Sequence, residues 1–166
     1  MRENQKLIFL DIDGVLNSFE FQSKTNDWDK GKKSQIDPVT IPLLNDIILS
    51  TKAKVVLSST WRILYYDVLI EILKELGCVA EIIDRTPQTH YKAKKYRHCQ
   101  RGMQIQEWID NNQNIFNSSL GDKFIIIDDG EDMGHLREHL IKTSGLCGLT
   151  KENVQMAIKK LNGEPI

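Results

Sequence analysis

Four aspartates stand where apolar runs of this 166-residue chain end. Asp11 and Asp13 close "LIFLDIDG", flanking a single isoleucine, and Asp128 and Asp129 close "KFIIIDDG". A third run, "KVVLSSTWR", ends in the hydroxyls of Ser58, Ser59 and Thr60. If those ends are neighbours, three or four carboxylates share a small volume, and their repulsion raises a pKa or demands a cation. A hard divalent ion with oxygen ligands answers that demand. Mg2+ suits a site with few protein carboxylates, because it keeps waters and accepts a phosphate oxygen. The first chemistry to expect is therefore phosphate handling.

Two other readings of "DIDG" compete. An EF-hand that starts at Asp11 would put Val15 at position five, Leu16 where the sharp-turn glycine belongs and Gln22 where the bidentate glutamate belongs, so it fails. An ordinary turn before Gly14 accounts for a lone D-x-D-G, but loses ground once the other run ends are counted.

Something must bring these ends together. Runs of strand length recur at residues 7–10, 54–58, 78–83, 123–128 and, more weakly, 139–143. Their near-continuous apolar character suits strands buried on both faces of a parallel sheet. Helical patterns alternate with them. "DPVTIPLLNDIILS" has an Asp37-Pro38 start with Pro42 in the first turn, and "TWRILYYDVLIEILKELG" puts Val68, Leu69, Ile72, Leu73 and Leu76 on one face, with Thr60 as cap and Gly77 as stop. "GMQIQEWIDNN" and "TKENVQMAIKKLNG" supply two more. The alternation predicts an α/β fold, a three-layer sandwich around a mainly parallel sheet, whose ligands sit at the carboxyl ends of the strands. Residues 17–36 and 85–101 lack periodicity and are expected to be flaps or loops within one domain over residues 1–166.

Composition narrows the setting. A formal net charge of -1 gives no global attraction to nucleic acid or membrane. Cys78, Cys99 and Cys147 fit neither a disulfide framework nor a zinc site. The N-terminal stretch has neither the apolar core of a signal peptide nor that of a membrane span, so a cytoplasmic protein is expected.

"FLDIDGVLN", "VVLSSTWR", Arg101-Gly102 opening a helix, and "IIIDDGEDM" follow the order and rough spacing of the four motifs of the haloacid dehalogenase (HAD) superfamily of phosphotransferases. With "RGMQIQEWI" and the late "TSGLCGLT", the chain resembles the HAD domain of Swiss Army Knife RNA repair proteins over nearly its whole length.

That resemblance implies a Rossmann-like HAD sheet and a role for each residue. Asp11 becomes the nucleophile that forms an aspartyl-phosphate. Asp13 becomes the acid and base that serves the leaving oxygen and the attacking water, and its backbone carbonyl a metal ligand. Aspartate at that second position favours a phosphatase over a dehalogenase. Ser58 or Ser59 donates to the transferring phosphoryl group; Ser58 directly follows the apolar run and is the first choice, and capping competes for Ser59 and Thr60. Arg101 is the expected third-motif cation, with Lys94 and Lys95 as alternatives. Asp128 is the remaining Mg2+ ligand, and Asp129 binds the ion through water or orients Asp13 or Arg101. Asp132 is either a supporting residue or a solvated loop residue.

Neither irregular stretch is long enough for a cap domain with its own core, so a minimal or absent cap and an open site are expected. An open site suits a phosphate on a small molecule held by loops, or one at the end of a nucleic acid. "HYKAKKYRHCQR" interleaves Lys92, Lys94, Lys95, Arg97 and Arg101 with Tyr91, Tyr96, His90 and His98, which suits contact with RNA or DNA through residues 91–101; a solvated basic loop is the plain competitor. Trp28 and Trp61 either stack on a base or pack, and Arg62 either holds a second phosphate or forms a structural ion pair. The expected function is a Mg2+-dependent phosphomonoesterase acting on a phosphorylated nucleotide or nucleic-acid end. A non-catalytic binding module of a repair system and a phosphotransferase using Asp11 are the alternatives.

Overall fold

The computed structural model describes residues 4–25, 31, 35–96 and 98–165. Trp28 and Arg97, which were among the expected nucleic-acid contacts, lie outside the described residues.

Five strands form one sheet: β1 (Lys6–Leu10), β2 (Lys54–Leu57), β3 (Ile82–Arg85), β4 (Lys123–Asp128) and β5 (Leu140–Lys142). Their order is β3-β2-β1-β4-β5, and every pairing is parallel. The alternating strand and helix pattern has therefore folded as a Rossmann-like α/β sheet. β1 is central because its side chains are buried on both faces: Ile8 and Leu10 enter one apolar cluster, Leu7 and Phe9 the other.

The first cluster takes α2 (Thr40–Thr51), α4 (Tyr66–Glu75) and α6 (Lys151–Asn162), through residues such as Leu44, Leu69, Leu73, Val154 and Leu161. The second takes α5 (Gln100–Asn111), through Ile105 and Trp108, together with the 3-10 segment Gly134–His139. Helices thus cover both faces, as a parallel sheet requires. α6 opens on a capping box in which Thr150 and Asn153 each accept from the other's backbone amide, and it ends at Gly163 in the left-handed region.

The structure departs from the sequence pattern in four places. The long helix expected from Thr60 to Gly77 breaks at Tyr65 into α3 (Trp61–Leu64) and α4, and Thr60 makes no side-chain cap. The third strand starts at Ile82, so "CVAE" is connection rather than strand. α2 starts at Thr40, with the Asp37 side chain accepting from the Val39 amide just before it. Within the 17–36 stretch a short helix, α1 (Phe19–Thr25), forms with none of its side chains buried, which is why its apolar period was invisible. Both apolar clusters lie against the one sheet, so the described residues contain no separate cap core. No helix among the described residues is long and apolar enough to cross a membrane.

Candidate active site

Strand register brings the sequence motifs together. Leu10 pairs with Leu57 on one side and with Ile127 on the other, so Asp11, Ser58 and Asp128 each stand one residue beyond a matched pair. The chain passes to one side of β1 for β2 and β3, then to the other for β4 and β5. The site therefore occupies the carboxyl edge at the point where strand order reverses.

Asp11 is 5% exposed. Its Oδ1 accepts from the Ile12 amide at 2.8 Å, its Oδ2 faces Arg101 Nη2 at 3.3 Å, and the Ser59 hydroxyl also hydrogen-bonds to the carboxylate. Burial raises its pKa, opposed by Arg101 and by these hydrogen bonds. Asp128 is equally enclosed: Oδ1 accepts from the Gly130 amide at 2.8 Å, and Oδ2 lies 3.4 Å from Arg101 Nε without a hydrogen bond. Burial, then the charge of Asp11, pushes its pKa up to about 7.

Arg101 reaches this pair because α5 begins against the loop after β4. The Asp132 carboxylate accepts from the Arg101 amide at 3.0 Å, and the Asp132 carbonyl accepts from the Gly102 amide at 3.1 Å. Asp132 thus supports the helix start, and the amides of the second and third helix residues are engaged within the chain rather than offered to an anion. A Cβ at residue 102 would lie 2.0 Å from the Met133 carbonyl oxygen, so glycine at 102 is required by close backbone approach.

Gly14 turns the chain after the first motif at φ +73°, where a Cβ would also collide with the Asp129 carboxylate at 2.3 Å. The turn separates the first two aspartates: Asp11 points inward, while Asp13 is exposed and bound by the Trp61 indole and the Asn17 amide. The "TSGLCGLT" segment braces this loop. Thr143 Oγ1 donates to the Gly14 carbonyl at 2.7 Å, and the Leu149 amide donates to the Val15 carbonyl at 2.9 Å.

One carboxylate oxygen each from Asp11, Asp128 and Asp129 lie within 4.8 Å of one another. Hard oxygen donors, raised carboxyl pKa values and the unpaired Asp128 Oδ2 fit a divalent cation such as Mg2+. The Asp13 carboxylate is not in that cluster.

The remaining expected residues divide. Ser58 and Ser59 are both fully buried; the Ser59 hydroxyl serves Asp11, while Ser58 Oγ has no hydrogen-bond partner among the described residues. Arg62, expected to contact substrate, is 2% exposed and spends all five N–H donors on the chain itself. They go to the carbonyls of Ser58, Ser59, Thr86 and Pro87 and to Gln104 Oε1, at 2.7 to 3.0 Å. It ties β2 to the chain after β3 and has no donor left for a second phosphate. Lys95 is exposed on the 3-10 turn Lys94–Tyr96. Tyr91 anchors the basic loop to α5, its hydroxyl donating to Glu107 Oε2 at 2.6 Å.

The buried polar atoms without a hydrogen-bond partner among the described residues are Ser58 Oγ, Thr86 Oγ1, Arg101 Nη1 and Asp128 Oδ2. All four lie at the carboxyl edge of the sheet or at the start of α5. Thr86 was not anticipated, although its place directly after a strand was a signal. Asn17 also escaped notice, because nothing in "GVLN" announces that its amide returns to Asp13.

The sequence model for the HAD domain in Swiss Army Knife RNA repair proteins matches residues 7–154. The chain belongs to this family. The match runs from β1 into α6 and takes in every element that contributes to the carboxyl-edge cluster. No curated protein gives a significant match to this HAD domain.

Proposed function

We propose that this HAD domain is a Mg2+-dependent phosphomonoesterase that works through an aspartyl-phosphate on Asp11. The observation that carries the reading is the buried Asp11 carboxylate, which stands beside one guanidinium and two further aspartates with unpaired polar atoms around it.

Asp11, Asp128 and Asp129, with the backbone carbonyl of Asp13, would hold the ion, which supplies charge neutralisation of the phosphoryl oxygens and a fixed orientation for the substrate. Arg101 opposes the burial that raises the Asp11 pKa, and offers its Nη1, which has no hydrogen bond among the described residues, to a phosphoryl oxygen. Ser58 offers a second donor there, while Ser59 holds the nucleophile rather than the substrate. An oxygen of Asp11 attacks phosphorus, the bond to the leaving oxygen breaks, and Asp13 protonates that oxygen. Water then attacks phosphorus, gives its proton to Asp13, and frees Asp11 and inorganic phosphate. Most of the acceleration is electrostatic positioning.

The substrate proposed is a phosphorylated nucleotide or nucleic-acid end. The lack of a separate cap core among the described residues, the exposed basic residues Lys92, Lys94 and Lys95 on the loop before α5, and the repair association in the family's description support it. Cys78, Cys99 and Cys147 form no disulfide among the described residues, which suits a cytoplasmic setting. A binding module would have no use for an acid held as Asp13 is, which favours the enzyme.

The test is phosphate release from 3′- and 5′-phosphorylated oligonucleotides, mononucleotides and sugar phosphates, with Mg2+ or EDTA, beside a folded Asp11→Asn variant. Metal-dependent release that the variant lacks, by on the order of 10⁴-fold or more, is the expected result. Retained hydrolysis by the variant removes Asp11 from the mechanism; silence across the panel with nucleic-acid binding intact favours the binding module.

A further inference from the structure

Asp13 is exposed, yet its carboxylate is not left to solvent. The Trp61 indole Nε1 lies 3.1 Å from both of its oxygens, and Asn17 Nδ2 donates to Oδ1 at 2.8 Å. Both donors are themselves fixed: Trp61 is 6% exposed and Asn17 1%. The Trp61 ring packs in the apolar cluster and meets Tyr65 edge-on, with centroids 6.2 Å apart. Asn17 has a determined amide orientation, because its Oδ1 accepts from the Gly14 amide at 3.0 Å and only its Nδ2 can then face Asp13.

The same short segment also holds the nucleophile. Ser59 Oγ accepts from the Trp61 amide at 3.3 Å while its hydroxyl serves Asp11. "SSTWR" therefore sets the relative placement of two carboxylates that the Gly14 turn has driven apart. The donors are also unequally shared. Oδ1 of Asp13 receives Asn17 and half of the indole interaction, whereas Oδ2 receives only the other half. Oδ2 has the more open lone pairs.

We propose that Trp61 and Asn17 are positioning residues that aim Oδ2 of Asp13 at the leaving oxygen, an inference that rests on the phosphatase reading. As the phosphorus–oxygen bond breaks, its electron pair goes to the leaving oxygen, which takes the proton from Oδ2; the two donors hold the resulting carboxylate in place until water returns a proton to it. Positioned acids of this kind contribute about 10²- to 10⁴-fold, and misaiming one forfeits part of that.

A purely structural pairing would merely satisfy a buried indole N–H, and leaving-group dependence separates the two roles. A nitrophenolate departs without a proton, whereas a sugar alkoxide needs one. Trp61→Phe keeps the ring and removes the N–H; Asn17→Asp keeps an acceptor for the Gly14 amide and removes the donor to Asp13. Turnover at saturation is compared for a mononucleotide and for 4-nitrophenyl phosphate, alone and in an Asp13→Asn background.

The expected loss for Trp61→Phe is about 10- to 100-fold on the mononucleotide, at least about tenfold larger than on the aryl ester, with no further loss added to Asp13→Asn. If Trp61→Phe does not fold, Asn17→Asp should give the same selective pattern. Equal losses on both esters, or losses that add fully to that of Asp13→Asn, overturn the proposal. Wild-type protein that hydrolyses neither ester overturns the phosphatase reading instead, and the positioning role with it.

Discussion

Two of the arginines near the carboxyl edge of the sheet, Arg62 and Arg101, are surrounded in opposite ways. Arg62 is enclosed by neutral acceptors, and each of its N–H groups has one within 3.0 Å. Arg101 faces two carboxylates at 3.3 and 3.4 Å and leaves a buried nitrogen without a hydrogen-bond partner among the described residues. Burial lowers the pKa of Arg62 to about 10, with the charge of Arg101 as the next cause. The first arrangement is complete and the second is not. A guanidinium whose donors are all used joins two loops; one held among unpaired polar atoms is ready for a third participant.

The sharpest way to break this comparison is Arg62→Met. It should strand the carbonyls of Ser58, Thr86 and Pro87 and the Gln104 amide oxygen at once, the Ser59 carbonyl keeping the backbone amide of residue 62, and none of these acceptors can neutralise itself by taking up a proton. A loss of about 3–5 kcal/mol is expected, read as a drop in the denaturant midpoint. A loss below about 1 kcal/mol would mean that the loop after β3 has another anchor.

Arg101→Met should behave in the opposite manner. Asp11 and Asp128 can take up protons when the cation is removed, because burial already raises both. Stability of the metal-free protein should therefore fall by less than it does for Arg62→Met, whereas turnover on the best substrate should fall by about 10²- to 10³-fold. If stability collapses and activity in the surviving folded fraction persists, the two arginines have exchanged roles.

The same contrast explains what could be read in advance. Strands such as "KFIIID" declare themselves because both faces are apolar, and Asp11, Asp128 and Arg101 were readable as the polar residues at their ends or opening a helix. Arg62 was read as a possible substrate contact, since nothing in "SSTWR" reveals that its partners include Thr86, Pro87 and Gln104, residues more than twenty positions away. Trp61 is the converse case: its packing was foreseen as one alternative, its indole bond to Asp13 was not. Both are long-range hydrogen bonds, for which sequence spacing carries no signal. α1 was missed because its helix has no buried face.

The smallest effect expected is a pH dependence that distinguishes the incomplete region from the complete one. Asp128, raised from 3.8 to about 7, keeps its proton in the folded chain when the unfolded chain has lost it. The associated stability is fully present below about pH 4 and is lost as pH rises through about 7, so the metal-free protein should melt at a lower temperature at about pH 8 than at about pH 5. Mg2+ should reverse the trend, because its ligands must be deprotonated and its affinity then rises over the same interval. Thermal unfolding with EDTA and with Mg2+ at the two pH values would show whether the curves diverge at high pH. Removing the carboxyl, as in Asp128→Asn, should abolish the metal-free slope contributed by this residue together with most of the Mg2+ response, whereas Arg62, already complete within the chain, should contribute to neither.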